Sequence, residues 1–532
     1  MFENATSPFQ RKTESRLPFE DQIQRVRKIL GRLLENKKMG ADLLFMSTYM
    51  AAITTAGVTR PEIFARTSER VEYVPAKYVQ KVQNFVTRWN YSYVEGLLIV
   101  AEKVDNEMLR SMLNRYANSI ESGVPDEDFL VRELETVRSV YRNTFEQGLE
   151  MLKKWGDAYI AMLFSASLVG IIIMISVAIY APQGIESTLN TAYFIIIAIS
   201  GMGLTIMYRS VPDDGRTHRM PRWQSKEQSM IARMERSILP IVAIAGIVLF
   251  LLGSNFGIIF LLTGILLAPL GIIGFIDDTN IVRRDRDFAT FIRSLGSVMG
   301  GKGINTVFAL AEVDRKSLVH IEPLINSVYS KLNLGLDEKQ SWERFIGESG
   351  SNLIYKYMNI FRDAVELGGS PDQIGQIIGS SMLEQVLLRE KRDMFYKGFI
   401  VLLIPMHAAM VGIFLFLFHI LLTMSEGITA VMSQFSFSDS ALSGSSSAVS
   451  GNPMGSMNLF VNFPEAQMTT FVVIIILLLT VSNVLAGKIV AGGDRYILYL
   501  FASMLTTITG LIYVAAPILV GIFFNIPGMG VT

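Results

Sequence analysis

Phe291-Ile292-Arg293-Ser294-Leu295-Gly296-Ser297-Val298-Met299-Gly300-Gly301-Lys302-Gly303-Ile304 is an apolar helical run that reaches a cluster of glycines and then resumes. That is the pattern of a helix, a stop and a second helix. It occurs twice. Phe45 stands to Phe291 as Gly57 to Gly303 and Ala65 to Ala311. Farther on, Glu102 answers to Glu348, Met112 to Met358, Gly123 to Gly369, Pro125 to Pro371 and Asp126 to Asp372. Every pair is 246 positions apart, as 45 is from 291. Identity is sparse, but a constant offset is hard to reach by chance. Apolar segments of membrane length follow each copy. The chain reads as a duplicated helical domain mounted on a membrane. The fold class expected is an all-α polytopic membrane protein with about seven spans and two homologous cytoplasmic helical bundles.

Composition agrees. The chain has 532 residues, too many for one compact core unless much of it lies in lipid. Mean hydropathy is +0.37. Lys+Arg and Asp+Glu both number 48, so no net field gathers nucleic acid. The lack of cysteine removes disulfides, thiol nucleophiles and thiolate metal sites, and four histidines make a zinc site improbable. The charged N-terminus has no long apolar run before residue 150, so no cleavable signal peptide is expected.

A helix needs roughly 20 apolar residues to cross a bilayer core. Seven stretches qualify: 159–180, 191–208, 238–252, 256–276, 399–424, 468–485 and 497–523. They divide the chain as follows. Residues 1–41 form a polar tail leading into an amphipathic helix, and 42–158 a first helical domain. Spans 1 and 2 occupy 159–208, a basic loop 209–237, and spans 3 and 4 238–276. The second helical domain is 277–398 and span 5 is 399–424. A Ser/Gly-rich external loop takes 425–467, spans 6 and 7 take 468–523, and an external tail takes 524–532.

Charge placement tests that count. Seven crossings from an inside N-terminus put 181–190, 253–255, 425–467 and the tail outside. None of these contains a Lys or Arg; all 48 basic residues fall on the other side. The positive-inside rule asks only for a bias. Both repeated domains then face the cytoplasm, in the cytoplasmic membrane, and the C-terminus lies outside. The external loop, with Ser443-Gly444-Ser445-Ser446-Ser447, reads as a flexible linker, or else as a contact with something beyond the membrane.

Few motifs suggest chemistry. Gly296 to Lys302 fits the first seven positions of a phosphate-binding loop, but the eighth, Gly303, cannot hold magnesium, and the run is helical rather than strand-led. Any ATP chemistry must come from a partner. His407 and His419 lie in the fifth span near Pro405. A proton relay needs a carboxylate at membrane depth, and none lies well inside any span. Neutral histidines hydrogen-bonding between helices are therefore expected. The pattern offers no catalytic residue, cofactor site or metal site, and the protein is expected not to be an enzyme. Residues 209–236 carry Arg209, Arg216, Arg219, Arg222, Lys226, Arg233 and Arg236. They would hold topology and attract anionic lipid, or dock an acidic cytoplasmic partner. The acidic run from Glu121 to Glu135 reads as a solvated face. Gly57, Gly123, Gly303 and Gly369, with Pro125 and Pro371, read as structural repeat positions.

The repeated unit, an apolar helix, a glycine, another helix, a Gly-x-Pro-Asp turn and a helix running into the membrane, resembles the F domain of type II secretion and type IV pilus platform proteins. Both helical domains and the spans after them share the resemblance. Phe291-Ile292-Arg293-Ser294-Leu295-Gly296, Val365-Glu366-Leu367-Gly368-Gly369, Leu388-Arg389-Glu390-Lys391-Arg392 and Pro405-Met406-His407 look like the second domain of archaellum (archaeal flagellum) assembly platforms, the FlaJ type. Adhesive-pilus and tight-adherence platforms are the near alternatives. The resemblance implies a non-enzymatic platform. A cytoplasmic hexameric ATPase would dock beneath it, filament subunits (archaellins or pilins) would pass across it, and two copies would pair as a homodimer. Arg216, Arg219 and Arg222, then Arg293 and Lys302, are the candidates for ATPase docking. A small-molecule transporter is the other class, and the missing intramembrane carboxylates weigh against it.

Overall fold

Helix starts and stops are written in the local chemistry. Thr59 and Pro61 open one helix in the first copy, as Asn305 opens its counterpart with its side-chain oxygen on the Phe308 amide. Ser92 and Glu95 form a reciprocal capping box. Asn106 and Ser351 cap corresponding helices. The structure, a computed structural model, describes residues 18–180, 185–212, 215–218, 220, 222–441 and 463–523. Among these the helices are α1 Pro18–Thr54, α2 Arg60–Ser68, α3 Ala76–Trp89, α4 Tyr93–Glu102, α5 Glu107–Glu121, α6 Asp126–Tyr180, α7 Ile185–Ser210 and α8 Lys226–Leu251. There follow α9 Phe256–Lys302, α10 Thr306–Glu312, α11 Glu322–Asn333, α12 Glu338–Ser349, α13 Asn352–Glu366, α14 Pro371–Ala441, α15 Glu465–Ala491 and α16 Ile497–Phe523. The described residues contain no strand, only a single bridge between Thr217 and Ser351. The fold is all-α, and among the described residues seven helices are long and apolar enough to cross a membrane: α6, α7, α8, α9, α14, α15 and α16.

The chain divides into two compact units, Met1–Tyr141 and Arg142–Thr532. The first has its core between α1 and α5, around Tyr49, Phe64, Tyr116 and Leu113, with Phe64 and Tyr116 stacked at 5.6 Å. The helix begins at Pro18, so the polar stretch expected to be a tail is largely helical, and only residues 1–17 of it lie outside the described residues. The Ser/Gly-rich stretch 442–462 and the tail beyond Phe523 also lie outside them.

The order α1–α6 recurs as α9–α14, and the spacing corrects one detail of the repeat. Gly57 and Gly303, both in the left-handed region, are 246 apart, as are the starts of α2 and α10 and of α3 and α11. The left-handed residue that ends α3 is Asn90, however, and the one that follows α11 is Gly335, one position nearer. From there the backbone pairs at 245. Gly123 matches Gly368, not Gly369: the Val124 amide bonds the Ser119 carbonyl as the Gly369 amide bonds the Ala364 carbonyl. Pro125 matches Ser370, and Pro371 takes the place of Asp126, because Phe129 bonds back to Pro125 as Ile374 does to Ser370. The identities at Gly369 and Pro371 were real letters at shifted structural positions.

Two of the second unit's helices run without a break from the apolar spans into the helical domain. These are α9, which continues through Pro269, and α14, which continues through Pro405. They cross at glycines. A methyl group at Gly296 would stand 2.3 Å from the Pro371 carbonyl oxygen, and one at Gly375 would stand 2.9 Å from that of Ile292. The phosphate-loop look of Gly296 to Lys302 is thus the signature of a close helix crossing. Gly296→Ala is expected to destabilise the protein by roughly 1–3 kcal/mol, since backbone must move. Gly301→Ala, with nothing near it, should leave thermal stability in detergent unchanged or slightly raised. A melting comparison of the two variants checks this.

Candidate functional site

A cluster of buried charges lies where the spans meet the second helical domain. Asp277, Asp278 and Asp285 occupy one side of α9, and Arg389, Arg392 and Asp393 one side of α14, at helical spacings. Asp285 and Arg389 are 0% and 5% exposed, and their ion pair measures 2.7 Å. The second Asp285 oxygen accepts from the Ser351 hydroxyl. That same hydroxyl oxygen caps α13 by accepting the Leu353 and Ile354 amides.

The connection between α7 and α8 is the stretch that the sequence marks as a basic loop for lipid or partner contact. Its described part is a strap bound to this site. Arg216 is 2% exposed, with one guanidinium nitrogen on Asp278 and the other 2.7 Å from Asp393. The Arg389 guanidinium reaches the Gly215 carbonyl at 3.1 Å. The Asn352 amide donates to the Arg216 carbonyl at 2.9 Å, beside the Thr217–Ser351 bridge. Trp223 lies so close to Gly347 that a methyl there would meet its Cβ at 2.1 Å. Ser225 and Gln228, at the start of α8, both donate to Asp277.

The turn between α15 and α16 closes the site from another side. Arg392, 1% exposed, donates to the carbonyls of Val490, Ile489 and Pro212. Gly492 and Gly493 have φ of 70° and 65°, and methyls on them would strike the Arg392 guanidinium and the Asp278 carboxylate. Lys488 folds back onto the carbonyls of Gly492, Gly493 and Asp494. Burying this many charges costs several kcal/mol per ion unless each is paired. Here the arginines meet carboxylates or backbone carbonyls. The result is an electrostatic clamp joining four segments. Among the described residues no group of three or more His, Cys, Asp or Glu could hold a metal.

His218 reports on the strap. Its Nε2–H donates to the Gly347 carbonyl at 2.9 Å, while Nδ1 accepts the Met220 amide at 3.1 Å. That fixes the neutral tautomer. Burial lowers its pKa below the usual histidine value, and the Gly347 carbonyl only partly opposes this. Unfolded strap therefore binds the proton more readily than folded strap. The stability from His218 is present above the free histidine pKa of about 6.5 and is lost as pH falls through the folded value. Hydrogen exchange at Met220 and Asn352, corrected for intrinsic rate, is expected to quicken as pH falls below the free histidine pKa of about 6.5. The His218→Gln variant should lack this pH step.

A second buried polar cluster ties four spans together. Tyr159 donates to Asn483 Oδ1 at 3.3 Å, and Asn483 Nδ2 lies 3.0 Å from His407 Nδ1. His407 Nε2 lies 2.9 Å from Thr509 Oγ1, which lies 3.1 Å from Thr480 Oγ1. Thr480 in turn donates to the Ile476 carbonyl. One assignment satisfies every donor: the amide donates to Nδ1, and a neutral imidazole donates onward through Nε2–H. A hydrogen-bonded chain that ends on a backbone carbonyl ties these helices to one another. His407 thus behaves as the sequence suggests. His419 packs edge-on to Tyr513 at 6.5 Å, and its Nε2 finds no partner among the described residues.

The five docking candidates are scattered. Arg216 is inside the clamp and unavailable at a surface, because two carboxylates consume its guanidinium. Arg219 lies outside the described residues. Arg222 is exposed, 5.5 Å from the Trp223 ring. Arg293 is half-buried against Gly379 with a 3.4 Å contact to Ser380. Lys302 is exposed and pairs with Glu312. Sequence reasoning missed Asp278, Asp285, Arg389, Arg392, Asp393 and Lys488 as a set. Carboxylates seven apart beyond span 4, facing arginines just before span 5, were the available signal.

No family model matches the chain, and no solved structure matches it. Two curated proteins are similar. Flagella accessory protein J of Methanocaldococcus jannaschii is 22% identical over 372 residues, covering 67% of this chain and 66% of the relative. Flagella accessory protein J of Methanococcus voltae is 24% identical over 338 residues, covering 60% of this chain and 58% of the relative. The match thus spans less than two thirds of either relative's own length, 66% of one and 58% of the other. In sequence the chain is similar to these two flagella accessory proteins J, the type that its second-domain motifs resemble.

Proposed function

We propose that the protein is the membrane platform of a filament machine, most directly that of the archaellum. The similarity to two flagella accessory proteins J carries this reading. Seven membrane-length helices and a duplicated helical domain support it. In this reading both helical domains face the cytoplasm, where a hexameric ATPase docks. ATP-driven motion reaches the spans through α6, α9 and α14, because a helix hydrogen-bonded along its length transmits displacement with little loss. The charge clamp keeps strap, domain and spans moving together, filament subunits are handed across the spans, and the protein itself performs no chemistry.

The test is deletion of the gene, followed by electron microscopy of the cell surface and a swimming assay. Loss of swimming and its filaments, restored by complementation, is the expected result. Intact swimming with missing thin pili would move the protein to an adhesive-pilus platform. Normal filaments of every kind would overturn the platform reading. For ATPase contact, the exposed Arg222 and Lys302, with Arg219, remain the candidates. Charge reversal at all three should weaken ATPase recruitment to membranes at low salt and matter less at high salt, as surface charges are screened. Unchanged co-sedimentation at low salt would remove them from the contact.

A further inference from the structure

The first unit has a feature that the clamp and the spans do not explain. An open groove of about 390 Å³ lies between α3 and α4, lined by Tyr78, Phe85 and Trp89 together with Lys81, Arg88 and Lys103. No carboxylate lines it. Lys81 sits 5.0 Å from the Tyr78 ring, and none of the three cations pairs with a carboxylate among the described residues. Trp89 is 66% exposed and Tyr91 39% exposed. Both meet Phe85 edge-on, at 5.1 and 5.8 Å, which makes a preformed aromatic platform.

The duplicated domain supplies a comparison inside one chain. The scaffold recurs: Leu97, Val100 and Ala101 of α4 are buried, as are Trp342, Phe345 and Ile346 at the matching positions of α12. The groove set does not recur. Tyr78, Lys81 and Arg88 match Leu324, Ser327 and Leu334 at the offset that holds along α3; Lys103 matches Glu348 after the one-residue shift. α3 runs farther than α11, 14 residues against 12, and its last residue, Trp89, places the indole at the groove. Packing alone would not ask for these residues, since the other copy folds without them.

We infer that this groove binds a protein segment that presents carboxylates around an aromatic or large apolar side chain. Charge complementarity selects the carboxylates: three cations with no carboxylate partner among the described residues would otherwise face one another across a shallow cleft. The concave aromatic floor selects an inserted side chain, and Trp, Tyr and Arg are the residues that dominate such contacts. A flat anionic bilayer would meet the cations but leave the floor unfilled. The inference does not rest on the platform reading, and it holds whichever machine the partner belongs to.

The test uses the full-length protein in detergent micelles and a fluorescein-labelled synthetic peptide of Glu-Glu-Phe repeats, read by anisotropy. A Lys-Lys-Phe peptide is the control. The unaltered protein is expected to bind the acidic peptide and not the basic one, with affinity falling as salt rises. Trp89→Ala alone, and Arg88→Glu with Lys103→Glu, should each weaken binding about tenfold or more. The charge-reversed protein should gain affinity for the basic peptide. Trp89 and Lys103 are exposed, so unchanged melting would verify the fold of the variants. Three results would overturn the inference: equal affinity in the variants, equal binding of the two peptides, or no acidic-peptide binding at low salt. Capture of phosphatidylglycerol nanodiscs by the groove with no peptide binding would overturn it in favour of a lipid surface.

Discussion

Arg216→Ala should remove most of the folded protein from the membrane. The substitution leaves Asp278 and Asp393 without the guanidinium that both share, and Asp278 is buried. Removing one partner of a buried ion pair costs about 3–5 kcal/mol, because the other charge stays desolvated. Arg216→Lys should rescue only in part: an ammonium cannot hold two carboxylates with the fixed fork of a guanidinium. The informative comparison adds Asp278→Asn to Arg216→Ala. Removing both charges should recover more stability than the separate losses allow, and the coupling is read from the double-mutant cycle of melting temperatures in detergent. Additive losses would mean that the two residues do not form the pair described here.

The second large effect concerns α9 and α16. Their backbones touch along a row of glycines. Methyls on Gly264 and Gly271 would lie 2.7 Å from the Thr507 amide nitrogen and 2.6 Å from the Leu500 Cα, and one on Gly510 would lie 2.4 Å from the Leu261 nitrogen. In lipid no hydrophobic gain drives helices together, so close packing of small residues has to hold them. Gly264→Leu and Gly271→Leu should separate the two helices and abolish stable insertion. Gly264→Ala should cost roughly 1–3 kcal/mol. Gly246→Ala in α8 and Gly521→Ala in α16 serve as controls, since nothing stands within 4 Å of either. The readout is the amount of protease-resistant protein in the membrane fraction.

Much of the fold was legible because it rests on local signals. Hydropathy marks the seven spans, capping residues mark the helix starts, and the glycine that ends α1 ends α9 in the same left-handed conformation. The register of the repeat was less legible. Identities at a constant offset hid the one-residue shift between the left-handed Asn90 and Gly335, which only backbone geometry reveals. The clamp was hardest to read. Arg216, Asp278, Asp285, Arg389 and Lys488 lie far apart in the chain, and in sequence Arg216 looks like any other basic loop residue. Its burial follows from two acceptors on two different helices, a tertiary fact that no window around residue 216 contains. The cationic groove escaped for the same reason: Lys81, Arg88 and Lys103 read as scattered surface charge until α3 and α4 are laid side by side.

The central claim is that the clamp makes strap, helical domain and spans one mechanical body in a filament platform. Asp393→Asn tests it most directly. Asp393 is partly exposed, and its loss still leaves Arg216 paired with Asp278, so the protein should fold and insert while the clamp loosens. The measurement counts surface filaments in a deletion strain carrying Asp393→Asn, with the membrane level of the protein measured in the same cells. The account predicts normal protein levels with filaments sharply reduced. Normal filaments at normal protein levels would contradict it.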